Sequence, residues 1–521
     1  MEQDIATWAQ ATWGECELGN AQRTKRAVAI GMRMTAQPGA GLPEQMGSNA
    51  MLKGAYRLLN CPAVAVEELW RPHQEATRRA AGHSNTVLFI QDWTTVDYSH
   101  HPKTSGIGPV GSRQQRGMLL HRVLASAVEE QQILGLAYGQ VIVREEAGPG
   151  VDKKHNGGRR SSGSEGRVWE QAAEAIGQAP RQSRWIHVRD RESDVFEYMA
   201  VCQSLGKDFV IRAFHNRKVD ELEAEISVQE QRYLMEVARQ LVSPTKQAYA
   251  VEVPARVNKG TKHPKRRAQI CLAWTQIHMP APSYGKGHPG MEVWLVRAWE
   301  PEPPVGVEAV EWILLTSLTG DDWEAARYLT QLYECRWLVE DYHRCLKTGC
   351  RMEASQLDHG DDLQRLLGFT APIAVRLLQL RQVVRTAPET PAITAATLDP
   401  LMVRLLAANF KLTVSSVTVK MFWTLVAQLG GYLGRTSDGP PGWRTLWKGW
   451  RHLSAWADGV RLLAPKKVGK DQRESGHPEP EKTETEIETE RKGMGRSLSL
   501  VSICASYLGI TGKRAYEVIS S

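Results

Sequence analysis

Several things that would each point to a function are missing from this chain. Its eight cysteines (Cys16, Cys61, Cys202, Cys271, Cys335, Cys345, Cys350 and Cys504) form no Cys-x-x-Cys pair and no regular framework. A disulfide scaffold is thereby excluded, and the cysteines read as reduced thiols of a cytoplasmic protein. His343 lies close to Cys345 and Cys350, but the spacing is wrong for a zinc ribbon. Long apolar runs are also lacking. The best candidate, Met421–Leu433, falls well below the roughly 20 residues that a membrane helix needs. No basic-then-apolar segment opens the chain, so no targeting signal and no membrane are expected. Neither sign of charge dominates: 65 Lys and Arg against 58 Asp and Glu leave a net +7. That excess permits a polyanionic partner without requiring one. No internal repeat at a solenoid period is present.

What is there suffices for a large globular protein. At about 100–200 residues per domain, 521 residues suggest three or four domains, and 42% hydrophobic with 24% charged residues excludes general disorder or a fibre. Residues 1–70 read as helical, with Arg23, Lys25, Arg26 and Arg33 clustered after Gly19. Residues 71–385 alternate strand-like apolar runs (Val87–Ile90, Gln132–Val143, Arg184–Val188, Phe209–Arg212, Val293–Ala298, Trp312–Leu315) with helical stretches, which predicts an α/β core. Residues 386–465 are helical again. Residues 466–497 carry Thr-Glu alternation that cannot build a core, and so read as a disordered linker before a short helix over 498–519.

Two carboxylates stand out. Asp92, in Leu88-Phe-Ile-Gln-Asp-Trp, and Asp190, in Trp185-Ile-His-Val-Arg-Asp, each end an apolar run. Aspartates at strand ends cap the next turn or helix, or converge in a crevice where oxygen ligands hold divalent cations for phosphoryl transfer. A third group is sharper. Tyr333, Arg336, Glu340, Arg344 and Lys347 fall within about an 80° arc of a single expected helix, with Trp337 at its edge. One carboxylate among cations and aromatics suits a DNA-phosphate site. It equally suits a solvated face with an ion pair such as Glu340–Arg344.

The string Tyr333-x2-Arg336-x3-Glu340-x6-Lys347 resembles the Y-R-E-K signature of the insertion-sequence-four family of bacterial DDE transposases, particularly its kanamycin-transposon (Tn-five) type. Asp92 and Asp190 resemble that family's first and second catalytic aspartates. Leu18–Arg26 and Lys53–Arg57 resemble its N-terminal DNA-binding region, and Ala374–Arg381 with Trp443–Trp450 its carboxy-terminal part. The resemblance implies a ribonuclease-H-like catalytic core (71–385), flanked by a helical DNA-binding domain (1–70) and a helical dimerisation domain (386–465), with 466–521 as linker and unmatched tail. A β-rich insertion at about 213–310 accounts for the 150 residues between Asp190 and Glu340. Within it Arg256–Arg267 holds six cations and no acid, a solvated hairpin or a DNA-backbone contact.

By the same resemblance Asp92, Asp190 and Glu340 form a catalytic triad holding Mg²⁺ or Mn²⁺. Tyr333, Arg336, Lys347 and Arg344 contact phosphates. Trp312, with Trp337 near the signature face, meets the DNA, Trp312 as the acceptor of a flipped base or as a core residue. Arg212, Arg23, Arg26 and Arg57 touch DNA as well. The partners implied are transposon ends, target DNA and a second copy of the chain. The alternatives are a catalytically silent end-binding regulator and another two-metal nuclease such as a resolvase.

Overall fold

The computed structural model describes residues 5–463 except 112–113, 146–166, 222–231, 254–255, 259–260, 284–288, 387, 396–397 and 436–440. The linker and short helix expected after residue 465, and part of the basic Arg256–Arg267 stretch, lie outside the described residues.

The chain opens with helices Ile5–Trp13, Ala21–Ala36, Leu42–Met46, Asn49–Leu59 and Val66–Ala81. Local chemistry starts two of them: Asn20 accepts from the Arg23 backbone N–H, and Ser48 from that of Met51. These helices lean on a long helix, Gly360–Thr386, that contains Pro372. Proline has no N–H to offer the carbonyl four residues back. That carbonyl, of Gly368, instead accepts from the Trp13 indole at 3.2 Å, and the adjacent Leu367 carbonyl accepts from the Trp70 indole at 3.1 Å. Both indoles come from the N-terminal helices, so the proline position is also an attachment point.

The centre is a 12-stranded mixed sheet. Its strands are β1 (Thr86–Asp97), β2 (Gly108–Pro109), β3 (Arg116–Ala127), β4 (Gln132–Ile142), β5 (Arg184–Arg189), β6 (Asp208–Arg212), β7 (Lys218–Glu221), β8 (Arg232–Tyr233), β9 (Tyr249–Val253), β12 (Arg266–Met279), β13 (Met291–Trp299) and β14 (Glu311–Thr316); β10 (Arg256–Asn258) and β11 (Thr261–His263) form a separate hairpin. β1 runs antiparallel to β3 along its length, but parallel to β5 only over Thr86–Ile90. β5 and β6 are parallel, then β14, β13 and β12 continue the sheet antiparallel. The strand-rich segment between β6 and β14 therefore extends the central sheet instead of standing as an isolated layer.

Two local expectations need correction. Asp92 does not end a strand: β1 runs on to Asp97, and what ends beside Asp92 is its pairing with β5. The signature residues do not share one helix. Helix Trp323–Glu334 stops, a turn at Cys335–Arg336 intervenes, helix Trp337–Arg344 comes next, and Cys345–Gly349 is a π turn. Tyr333, in the last turn of the first helix, and Arg336, in the turn itself, both reach Asp190.

Beyond the long helix, Val419–Leu429 packs on Trp443–Leu463 with Trp423 stacked on Trp450, centroids 5.4 Å apart and planes 13° from parallel. Among the described residues no helix is long and apolar enough to cross a membrane, and no disulfide joins the seven described cysteines.

Candidate active site

Asp92, Asp190 and Glu340 line one cleft of about 470 Å³ with Arg336, Arg191, Trp93, Trp169 and Phe214. Each carboxylate is placed by a different local device. Asp92 lies on β1 just past its parallel pairing, and its Oδ1 accepts from the Trp93 N–H at 2.9 Å. Asp190 comes directly after β5 and caps the short turn Arg191–Ser193, accepting from the Arg191 N–H at 2.8 Å. The capping role and the crevice position thus coincide. Glu340 projects from helix Trp337–Arg344 and accepts from Arg336 at 2.8 Å. Its ion-pair partner is Arg336, one turn back, and not Arg344, which is exposed and paired with Asp341 at 3.3 Å.

Arg336 binds the group together. Its guanidinium is 3.6 Å from Asp190 Oδ2 as well as on Glu340, and lies over the Trp337 ring at 5.0 Å. Burial works against the Arg336 charge, but Asp190, Tyr333 and Glu340 outweigh it and raise its pKa. Asp92 is pushed up to about 6, mostly by burial, with Glu340 and Asp190 adding to the rise and Arg336 opposing it. Tyr333 is buried and donates to Asp190 Oδ1 at 3.2 Å; burial pushes its own pKa up to about 12, so it stays a donor. Its ring meets the half-buried Trp312 edge-on at 5.6 Å.

The remaining expected residues are spread out. Arg212, at the end of β6, donates to the Glu311 carbonyl at 2.8 Å and sits near the Tyr333 hydroxyl. Lys347 turns to Glu353 at 3.5 Å. Trp337 is 52% exposed. Arg23, which donates to the Leu18 carbonyl, and Arg26 and Arg57, both exposed, belong to the N-terminal helices and are not brought to the cleft. Of the basic stretch, Arg266 is paired with Glu300 and Lys265 with Glu252.

Sequence reasoning misses three participants. His343 Nδ1 stands 4.0 Å from Asp92 Oδ2, with burial lowering its pKa to about 3, so it is a neutral neighbour. Trp169 and Phe214 line the cleft from segments far from Asp92 and Glu340 in sequence. Neither carries a local signal that separates it from an ordinary core or surface aromatic. Asp194, the carboxylate that holds the Phe214 segment, does have one: it is a further acid four residues after Asp190.

Among the described residues, no three His, Cys, Asp or Glu side chains are already gathered to hold a metal ion. Arg336 occupies the position between Glu340 and Asp190 instead. The donor set still fits a hard divalent cation. It is all oxygen, and the proton affinity of Asp92 registers burial beside two other carboxylates.

A cleft with three carboxylates, an arginine among them and aromatic walls, set in a mixed sheet between helical flanks, offers the side-chain types that phosphoryl-transfer chemistry uses. Three family models match the chain in order: Transposase DNA-binding over residues 5–64, Transposase DDE domain over 161–373 and Transposase Tn5 dimerisation domain over 372–466. The chain belongs to the Tn5-like DDE transposases. It is a DNA transposase, with DNA binding in its first matched segment and homodimer formation in its last, and the family uses a divalent metal.

Proposed function

We propose that Asp92, Asp190 and Glu340 are the catalytic, metal-holding triad of a ribonuclease-H-like core of the insertion-sequence-four type, with Mg²⁺ or Mn²⁺ as the ion. The observation that carries this is their convergence on one cleft from β1, the end of β5 and a helix 150 residues further on. The sheet supports the core reading. Antiparallel β4, β3 and β1 continue into parallel β5 and β6, and the two aspartates lie where β1 and β5 part.

The reaction is cut-and-paste transposition: hydrolysis at a transposon end, closure and reopening of a hairpin, and attack of the freed 3′ end on target DNA. When bound, the divalent cation supplies activation of water and charge neutralisation. The chain supplies the rest. Tyr333 holds Asp190 in one orientation. Arg336, with Arg344 and Lys347 once they release Asp341 and Glu353, meets phosphates and balances charge as it develops. Trp312, Trp337 and Arg212 contact the DNA near the cut, and Arg23, Arg26 and Arg57 read the transposon end. We assign residues 1–70 to end binding, 71–385 to the core with its insertion at about 213–310, and 386–465 to dimerisation. Chromosomal DNA as substrate places the reaction in the cytoplasm, at the nucleoid.

The test is strand cleavage of the gene's own flanking end sequences by wild type and Asp190→Ala, with Mg²⁺ and with chelator. Metal-dependent release through a hairpin, lost in the variant, is expected. Glu340→Ala is expected to stop cleavage and keep end binding. Binding by wild type with no cutting would establish the silent regulator instead.

A further inference from the structure

Three carboxylates gathered around one cleft repel one another unless a cation stands among them. In this chain the cation is Arg336. Asp190 Oδ1 is already taken up by the Tyr333 hydroxyl at 3.2 Å and the Arg191 N–H at 2.8 Å, which leaves Oδ2 as the oxygen with lone pairs to offer. Arg336 Nη2 stands 3.6 Å from that Oδ2 and 2.8 Å from Glu340 Oε1, so a single nitrogen faces both carboxylates. The residue is 7% exposed, and water screens these contacts little. Beside it the Trp337 ring, 5.0 Å from the guanidinium and 52% exposed, offers that group a surface to rest on when it leaves the carboxylates.

One pair of oxygens cannot serve a guanidinium and a divalent cation together. Each would lose the acceptors that the other takes, and like charges would repel across a half-closed site. Withdrawing Arg336 by itself would leave partly buried carboxylates without a counter-charge. The exchange is favourable when two replacements are made together: a phosphate for the arginine, and a cation for the carboxylates. We infer that Arg336 is a built-in occupant of the cation site, so that a divalent cation binds the cleft tightly only once a DNA phosphate has drawn Arg336 away. Strand and cation thereby bind with a positive coupling carried by this one side chain, and the free protein does not hold a loaded centre away from its DNA. The inference rests on the reading of Asp92, Asp190 and Glu340 as the metal-holding centre, and adds to that reading an order of binding.

The test uses the full chain and an already cut end whose 3′ terminus is a dideoxynucleotide, so that nothing is hydrolysed or joined. Mn²⁺ is the probe. Its binding is read from the loss of the free ion's electron paramagnetic resonance signal, with the titration of DNA alone subtracted. Wild type should bind Mn²⁺ about tenfold more tightly, or more, in the DNA complex than by itself. Coupling is reciprocal, so Mn²⁺ should tighten end binding by the same factor in fluorescence anisotropy. Arg336→Gln, at DNA concentrations that saturate it, should bind Mn²⁺ without DNA about as tightly as the wild-type complex does, and the factor should fall to about twofold or less in both measurements. Arg191→Gln removes a different cation from the same cleft and controls for net charge: its factor should stay at the wild-type value. No factor in wild type, an equal factor in wild type and Arg336→Gln, or an equal loss in Arg191→Gln would each overturn the inference. The first of these needs no variant and so stands whether or not Arg336→Gln folds. Failure of the catalytic reading is distinguishable, because it appears as unaltered Mn²⁺ binding by the Asp190→Asn complex.

Discussion

The hydroxyl of Tyr333 donates to Asp190 Oδ1 at 3.2 Å across 143 positions of sequence, and the same oxygen accepts from the Arg191 N–H at 2.8 Å. Two donors on one oxygen leave Asp190 little freedom to rotate. Tyr333→Phe removes one donor while preserving the ring against Trp312. A hydrogen bond to a charged group is worth about 1.5–3 kcal/mol, so the single-turnover nicking rate should drop about tenfold or more, with end affinity unchanged. An unaltered rate would show that Tyr333 does not orient Asp190.

Trp312 is half-buried and touches Tyr333, not the carboxylates. Trp312→Ala should slow hairpin closure more than the first nick, measured as the ratio of the two rates on one labelled end. Equal slowing of both steps would reduce Trp312 to a support for Tyr333.

Lys207 is a buried cation, 3% exposed, whose ammonium donates to the Ala173 carbonyl and so ties the start of β6 to the helix that carries Trp169. Burial lowers its pKa to about 8 from 10.5. The folded state therefore releases this proton before the unfolded state does, and stability gains from Lys207 as pH rises from about 8 toward 10.5. At neutral pH its charge costs on the order of 3 kcal/mol. Unfolding midpoints of Lys207→Met compared with wild type should show an advantage for the variant at pH 7 that shrinks by pH 10. A constant difference across that range would contradict a depressed lysine.

At Gly449, a Cβ would lie 1.7 Å from the Val426 carbonyl oxygen and 2.9 Å from the Gly430 N. These are backbone atoms, which cannot step aside cheaply. Gly449→Ala should separate Val419–Leu429 from Trp443–Leu463, break the Trp423–Trp450 stack and weaken dimerisation in sedimentation, while leaving nicking of a single end intact. Wild-type dimer stability in the variant would refute the close approach.

How much of this was legible in the sequence depended on where each cause lies. The apolar runs at Val87–Ile90, Arg184–Val188, Phe209–Arg212, Val293–Ala298 and Trp312–Leu315 fall in strands, as does Gln132–Val143 but for its last residue, because β-branched and aromatic side chains declare themselves locally. β3 did not, although it is almost wholly buried. It carries His121 and Arg122, and Arg122 is accommodated there by the Trp70 ring at 4.5 Å and by the His121 and Gln140 carbonyls, to which it donates at 3.0 and 3.2 Å. β12 hid behind its alternating polar residues for a similar reason. In the cleft, Asp92, Asp190 and Glu340 could be picked out by type and spacing. The turn at Cys335–Arg336 could not, since its residues suit a helix. Phe214 was equally hidden, because the carboxylate that displays it belongs to a different element.

Pro372 and Trp13 carry a consequence for how this sequence can drift. The Gly368 carbonyl has no helical donor because of Pro372, and it is served by the Trp13 indole. Replacing Trp13 first would strand that carbonyl in the interior, whereas replacing Pro372 first would restore its helical donor, so that a later loss of the buried Trp13 would cost packing alone. The two positions, 359 apart, are therefore expected to change in a fixed order among descendants: the proline goes before the tryptophan can.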